Sequence, residues 1–82
     1  MSKTPRLKPL DKKLGAALRK ARIDAGISQQ RLGRRVGLTF QQVQKYEGGK
    51  NRIAVSTLYR LAPVLGYTAR GFLAMFDARR GR

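Results

Sequence analysis

Neither cysteine nor histidine occurs in this 82-residue sequence, and only four residues are acidic. The first absence excludes disulfides and thiolate metal sites, which suits a reducing compartment. The second removes the side chain most used as a general base near neutral pH. What remains for acid–base chemistry is Asp11, Asp24, Glu47 and Asp77, and each has an ordinary capping or pairing role available. No glycine-rich phosphate loop, metal-ligand cluster or nucleophile with an adjacent base is legible, so neither catalysis nor a cofactor or metal is expected. Tyr46 and Tyr59 read as packing residues rather than acids. Long apolar runs are missing too. The opening MSKTPRLKPL carries charge but no signal-peptide core, and no later run has membrane-spanning length, so the expectation is a soluble, unexported, cytoplasmic protein.

What is abundant is positive charge. Nineteen Lys and Arg against four acids give a formal net charge of +15. Such a surface presents extended positive potential whose natural partner is a polyanion: nucleic acid first, an anionic membrane second. The length allows one domain, which buries only roughly 60% of the surface its unfolded chain exposes, so stability is modest unless the chain dimerises.

Apolar residues recur at helical spacing along most of the chain, with no strand-like alternation, internal repeat or low-complexity tract, so the fold class is all-α. Residues 1–10, with Lys3, Arg6, Lys8, Pro5 and Pro9, read as a flexible basic arm. A first helix is expected from Asp11, its N-cap, to a stop at Gly26, with Leu14, Leu18, Ala21 and Ala25 inward and Leu10 extending the stripe backwards. A second helix follows at about 28–36, capped by Ser28, with Leu32 and Val36 inward and Gly37 ending it. Gly37-Leu38-Thr39 forms a tight turn, and a third helix runs over about 39–47 to Gly48-Gly49. Ile53 plugs the core. A fourth helix starts near Val55 or Ser56 and buries Leu58, Leu61, Ala62 and Leu65; Pro63 makes it kink or finish early. A fifth, capped by Thr68, has an apolar face of Phe72, Leu73 and Phe76. Residues 11–77 thus form the domain, and 78–82 a basic tail.

Within this order one stretch stands apart. All five glutamines of the chain, Gln29, Gln30, Gln41, Gln42 and Gln44, fall between Ser28 and Lys50. On a helical wheel through Thr39 to Glu47, Val43 and Tyr46 share one face, with Thr39 and Glu47 at its edges, while Gln41, Gln44 and Lys45 share the other. Glutamine's paired donor and acceptor match the N6/N7 edge of adenine in the major groove, which mere solubility does not require. Phe40 lies between the faces, with a thymine methyl contact and inward packing both open to it.

The segments ARIDAGIS, QQRLGRRVGL, TFQQVQKYEGGKNRI and LYRLAPVLGYT, in this order over Leu14–Leu73, resemble the DNA-binding domain of lambda-repressor and Cro-type helix-turn-helix regulators. That resemblance implies a bundle of about five helices whose third lies in the major groove. It assigns Phe40, Gln41, Gln42, Gln44 and Lys45 to base-reading and adjacent positions. It places Gln29 as a phosphate anchor that braces the reading helix, with Thr39 and the loop residues Lys50, Asn51 and Arg52 also on the DNA backbone. Arg22 and Glu47 match a family ion pair joining the first helix to the end of the third. Gly33 departs from the family's usual alanine, and Pro63 is unusual. The sequence ends soon after the helical region, so a dimer is expected to be built from the domain itself, through Phe72, Met75 and Phe76.

The expectation is therefore a sequence-specific, nucleoid-associated regulator that binds double-stranded DNA as a small homodimer on an inverted repeat, with no membrane partner. The alternative is an antitoxin-like or adaptor interaction protein in which DNA binding is secondary; its support is the apolar last helix. Binding of membrane or RNA by charge alone accounts for the +15 but not for the glutamine grouping.

Overall fold

The computed structural model describes residues 4–78, with side chains described over residues 9–74. The chain forms α1 (Thr4–Asp24), α2 (Gln29–Val36), α3 (Phe40–Glu47), α4 (Val55–Val64) and α5 (Ala69–Ala78), and no strand occurs among the described residues. The all-α expectation holds. α3 packs against both α1 and α2, while α4 packs against α2 and α5.

Leu18 of α1, Leu32 of α2, Val43 of α3, Leu61 of α4 and Phe72 of α5 are fully buried, so every helix sends a large side chain into one core. The inner face of α4 is the one its spacing predicts: Leu58, Leu61, Ala62 and Leu65 are all buried, and Ile53 is half-buried against them. Tyr67 lies edge-on to Phe72, their ring centroids 5.9 Å apart and the planes at 70°, a favourable aromatic arrangement.

Three expectations need correction. α1 starts at Thr4 rather than Asp11, so residues 4–10 of the expected arm are helical. Pro5 falls in the first turn, whose amides have no intrahelical acceptor in any case, and Pro9 forfeits a single backbone bond. Residues 1–3 and 79–82 lie outside the described residues. The apolar stripe of α1 is also shorter than expected on both sides: Ala25 is exposed past the last turn, and Leu10, towards the start, is 50% exposed. The third correction concerns Phe72. It is 0% exposed, so it cannot contact a second molecule, because its ring is already used by the core; Met75 and Phe76 have side chains outside the described residues. Leu73, placed on the same inward face, is 38% exposed.

Gly66, at φ 91, closes α4, and Pro63 stays inside the helix. The helix stops at Val64, one residue beyond it, and the chain turns by bonds from Gly66 N to Pro63 O (3.1 Å) and Tyr67 N to Ala62 O (2.9 Å). Thr68 then opens α5, its hydroxyl accepting from Gly71 N at 2.8 Å.

Candidate nucleic-acid interface

The angle between α2 and α3 is set by local chemistry. Ser28 caps α2, its hydroxyl oxygen accepting from Arg31 N at 3.0 Å. Gly37 ends the helix at φ 76 and ψ 30, a left-handed conformation that is strained for residues with a Cβ. Thr39 starts α3 with a reciprocal capping box: Thr39 Oγ1 accepts from Gln42 N (3.1 Å), and Gln42 Oε1 accepts from Thr39 N (2.9 Å). Gly33 lets the turn close. A Cβ there would stand 2.6 Å from Leu38 O, so turn backbone lies directly on helix backbone.

α3 consequently has two unlike faces. Val43 and Glu47 are buried and Tyr46 is half-buried. Gln41, Gln42, Gln44 and Lys45 are exposed, and Phe40 sits at the edge with 38% of its surface exposed. The division drawn on the helical wheel is the division seen. Because Glu47 is buried, the exposed face offers three neutral amides and one ammonium group with no carboxylate among them.

The buried side of α3 is braced by an ion pair between helices. Arg22 of α1 donates from Nε to Glu47 Oε2 (2.6 Å) and from Nη2 to Glu47 Oε1 (3.1 Å), and its Nη1 donates to Ile27 O (2.8 Å). Gln29 of α2 donates from Nε2 to Glu47 Oε1 at 2.9 Å. Three helices therefore meet on one carboxylate. Both charged side chains are withdrawn from water, with 11% of the Arg22 and 3% of the Glu47 side chain exposed, and no buried polar side-chain atom lacks a partner among the described residues. Gly15 makes the close crossing possible: a Cβ there would lie 2.8 Å from Glu47 O and would collide with Tyr46 O.

The loop after α3 presents Lys50, Asn51 and Arg52, all exposed. Arg52 is not free: its Nε lies 3.5 Å from Asp11 Oδ2. Asp11 thus pairs across the fold instead of capping α1. Lys12, Gly48, Gly49 and Lys50 line a shallow recess beside this pair.

Of the residues singled out for binding, Gln41, Gln44 and Lys45 share one open face, with Phe40 and Gln42 at its margins. Gln42 has a structural duty as well, its Oε1 being committed to Thr39 N; the Thr-x-x-Gln spacing carries that signal. Gln29 braces α3 through Glu47 rather than through an exposed residue of α3. The Asp11–Arg52 pair and the position of Lys12 have no signal in periodicity, since both arise from tertiary contact.

A family model described as helix-turn-helix matches residues 18–72. An HTH-type transcriptional regulator of Sinorhizobium medicae is 44% identical over 57 residues, covering 70% of this chain and 41% of that one. A transcriptional regulator in the ATPase CF(0) region of Rhodospirillum rubrum is 39% identical over 80 residues, covering 98% of this chain and 72% of its own length. Among solved structures, the clp gene regulator ClgR of Corynebacterium glutamicum superposes with a TM-score of 0.76 at 25% identity, over 84% of this chain and 88% of that one. The chain spans 41% of the length of the first relatives it matches. With the model covering both helices of the turn and the architecture shared with a solved regulator, the chain belongs to the helix-turn-helix family of lambda-repressor and Cro-type transcriptional regulators.

Proposed function

We propose that this chain binds double-stranded DNA with sequence preference, laying α3 in the major groove, and regulates transcription as a homodimer on an inverted repeat. The observation that carries the reading is the outward face of α3. As an α-helix of eight residues, α3 is about 10–12 Å across with its side chains, which a major groove about 12 Å wide admits. Gln41 and Gln44 carry the amides that pair bidentately with adenine, and Lys45 the ammonium group that suits guanine O6 and N7. Phe40, 38% exposed, touches a thymine methyl in this reading. Phosphate contacts come from Thr39, Lys50, Asn51 and Gln29, which keeps one amide hydrogen after giving the other to Glu47. In a dimer, the two half-sites lie about one helical turn apart. The charge and the absence of any helix long and apolar enough to cross a membrane among the described residues accord with a nucleoid-associated cytoplasmic protein.

The alternative of a protein-interaction role rested on the apolar side of the last helix. Phe72 belongs to the core, so among the described apolar residues named for that side only Leu73, 38% exposed, stands open to a partner.

Selection of binding sites from random duplexes, with stoichiometry measured on the winner, tests the proposal. A shared motif with two-fold symmetry and two chains per site is the expected result. Enriched duplexes with no common motif refute sequence reading, and a stable complex of one chain per site refutes the dimer.

A further inference from the structure

We infer that Lys12, on α1, and Lys50, in the loop after α3, together seat one backbone phosphate of the bound duplex, while Arg52 is kept on Asp11. The inference rests on the DNA-binding reading above and adds α1 to its contact surface.

The geometry begins at Gly49. With φ 73, its backbone lies so close to α1 that a Cβ would stand 2.7 Å from both Cα and Cγ of Lys12. Only glycine allows the chain leaving the reading helix to run against α1 at this point. Two lysines far apart in sequence thereby become walls of a single open recess, floored by Gly48 and Gly49. Both are exposed. Neither takes part in the ion pairs found among the described residues, which are Lys20–Asp24, Arg22–Glu47 and Arg52–Asp11.

Backbone cannot supply the attraction for an anion here. The amides of Gly48, Gly49, Lys50 and Asn51 already donate to the carbonyls of Gln44, Tyr46 and Lys45. The two ammonium groups are what the recess has to offer, and a phosphate ester accepts from both at once. Position fixes the source of that phosphate. The recess opens at the end of the helix whose outer face reads bases, where a groove-bound rod meets the flanking strand. Asp11, next to Lys12 in the chain, carries a negative charge that would repel it. Its carboxylate side chain is 20% exposed and lies 3.5 Å from Arg52 Nε, so Arg52 neutralises the repulsion rather than making the contact itself.

A purely structural role for the lysines is the competing account: cations at the end of α3 compensate its terminal carbonyls. That role predicts lost stability and an unchanged salt response. The experiment therefore measures melting temperature and the slope of log affinity against log salt for K12Q, K50Q, K12Q/K50Q and R52Q, with K13Q as control. Each variant is titrated against both a selected duplex and a random one. If one phosphate is shared, either single lysine variant weakens binding, and the double variant loses about 0.9 of slope on both duplexes; R52Q and K13Q leave the slope alone, and melting temperatures of the lysine variants hold. The inference is overturned by a double-variant loss near 1.8, which means two separate phosphates. It is equally overturned if K12Q matches K13Q, if R52Q loses a full phosphate's slope, or if melting falls with the slope intact. Should the wild-type chain bind duplexes without preferring any motif, sequence reading fails while the slopes on random DNA still decide the phosphate seat. Absence of duplex binding refutes both.

Discussion

Replacing Glu47 by alanine is the perturbation whose outcome the structure specifies most fully. The carboxylate accepts from Arg22 Nε at 2.6 Å, from Arg22 Nη2 at 3.1 Å and from Gln29 Nε2 at 2.9 Å. Without it, a guanidinium group on a side chain only 11% exposed keeps a single bond, to Ile27 O at 2.8 Å, and an uncompensated charge stays buried. Removing one partner of such a pair costs about 3–5 kcal/mol. At about 0.05–0.15 kcal/mol per residue, a chain of this length has roughly 4–12 kcal/mol in total, so the variant stands near the edge of folding. In thermal denaturation followed by circular dichroism, each kcal/mol is worth about 4–8 °C for a domain of this size, and a fall of more than about 12 °C is expected. The exposed Arg34→Ala, on the outer side of α2, serves as reference and should move by no more than about 0.5 kcal/mol. A third variant separates charge from packing: Arg22→Met with Glu47→Leu removes both ions and should recover most of the loss, since apolar replacements of buried pairs are often neutral or stabilising. A Glu47→Ala melting temperature within error of that of Arg34→Ala refutes the reasoning.

Three further outcomes follow from the same structure. Gln41→Ala should relax base choice at one position by about 1–3 kcal/mol, whereas Lys50→Ala should weaken all sequences alike; equal losses on selected and random duplexes for both variants, read by fluorescence anisotropy, would count against that division of labour. Thr39→Ala removes the hydroxyl that accepts from Gln42 N while leaving the Thr39 N to Gln42 Oε1 bond in place, and should cost about 0.5–2 kcal/mol in urea denaturation; an unchanged midpoint contradicts the capping geometry. Gly15→Ala sets two effects against each other, a helix-propensity gain of up to about 1 kcal/mol and overpacking against the α3 carbonyls of about 1–3 kcal/mol. Net destabilisation is expected, and a raised melting temperature would show that the crossing is looser than described.

The parts of the fold that were legible beforehand are those whose cause is local. Ser28, Gly37 and Thr39 act within one helical turn of themselves, so the bounds of α2 and α3 could be read from them, and the outward placing of Gln41, Gln44 and Lys45 followed from periodicity. Glu47 was conspicuous as an isolated acid in a basic stretch, and the family resemblance supplied Arg22 as its partner. Where contact between distant segments decides, the sequence was silent. Periodicity marks Phe72 as facing something apolar but not whether that is the core or a second chain. Nothing near Asp11 announces Arg52, and nothing near Lys12 announces Gly49. The start of α1 is hidden for another reason: proline reads as a breaker, although near a helix start its missing donor costs little.

The split character of α3 has an evolutionary consequence. Val43, Tyr46 and Glu47 fasten the rod to the bundle, while Gln41, Gln44 and Lys45 contribute almost nothing to holding it there. Under the proposed reading, changes at the latter three alter the target without touching the frame, so new addresses are tried at little cost in folding. A scaffold so divided suits lineages in which copies of one ancestor diverge to govern different promoters.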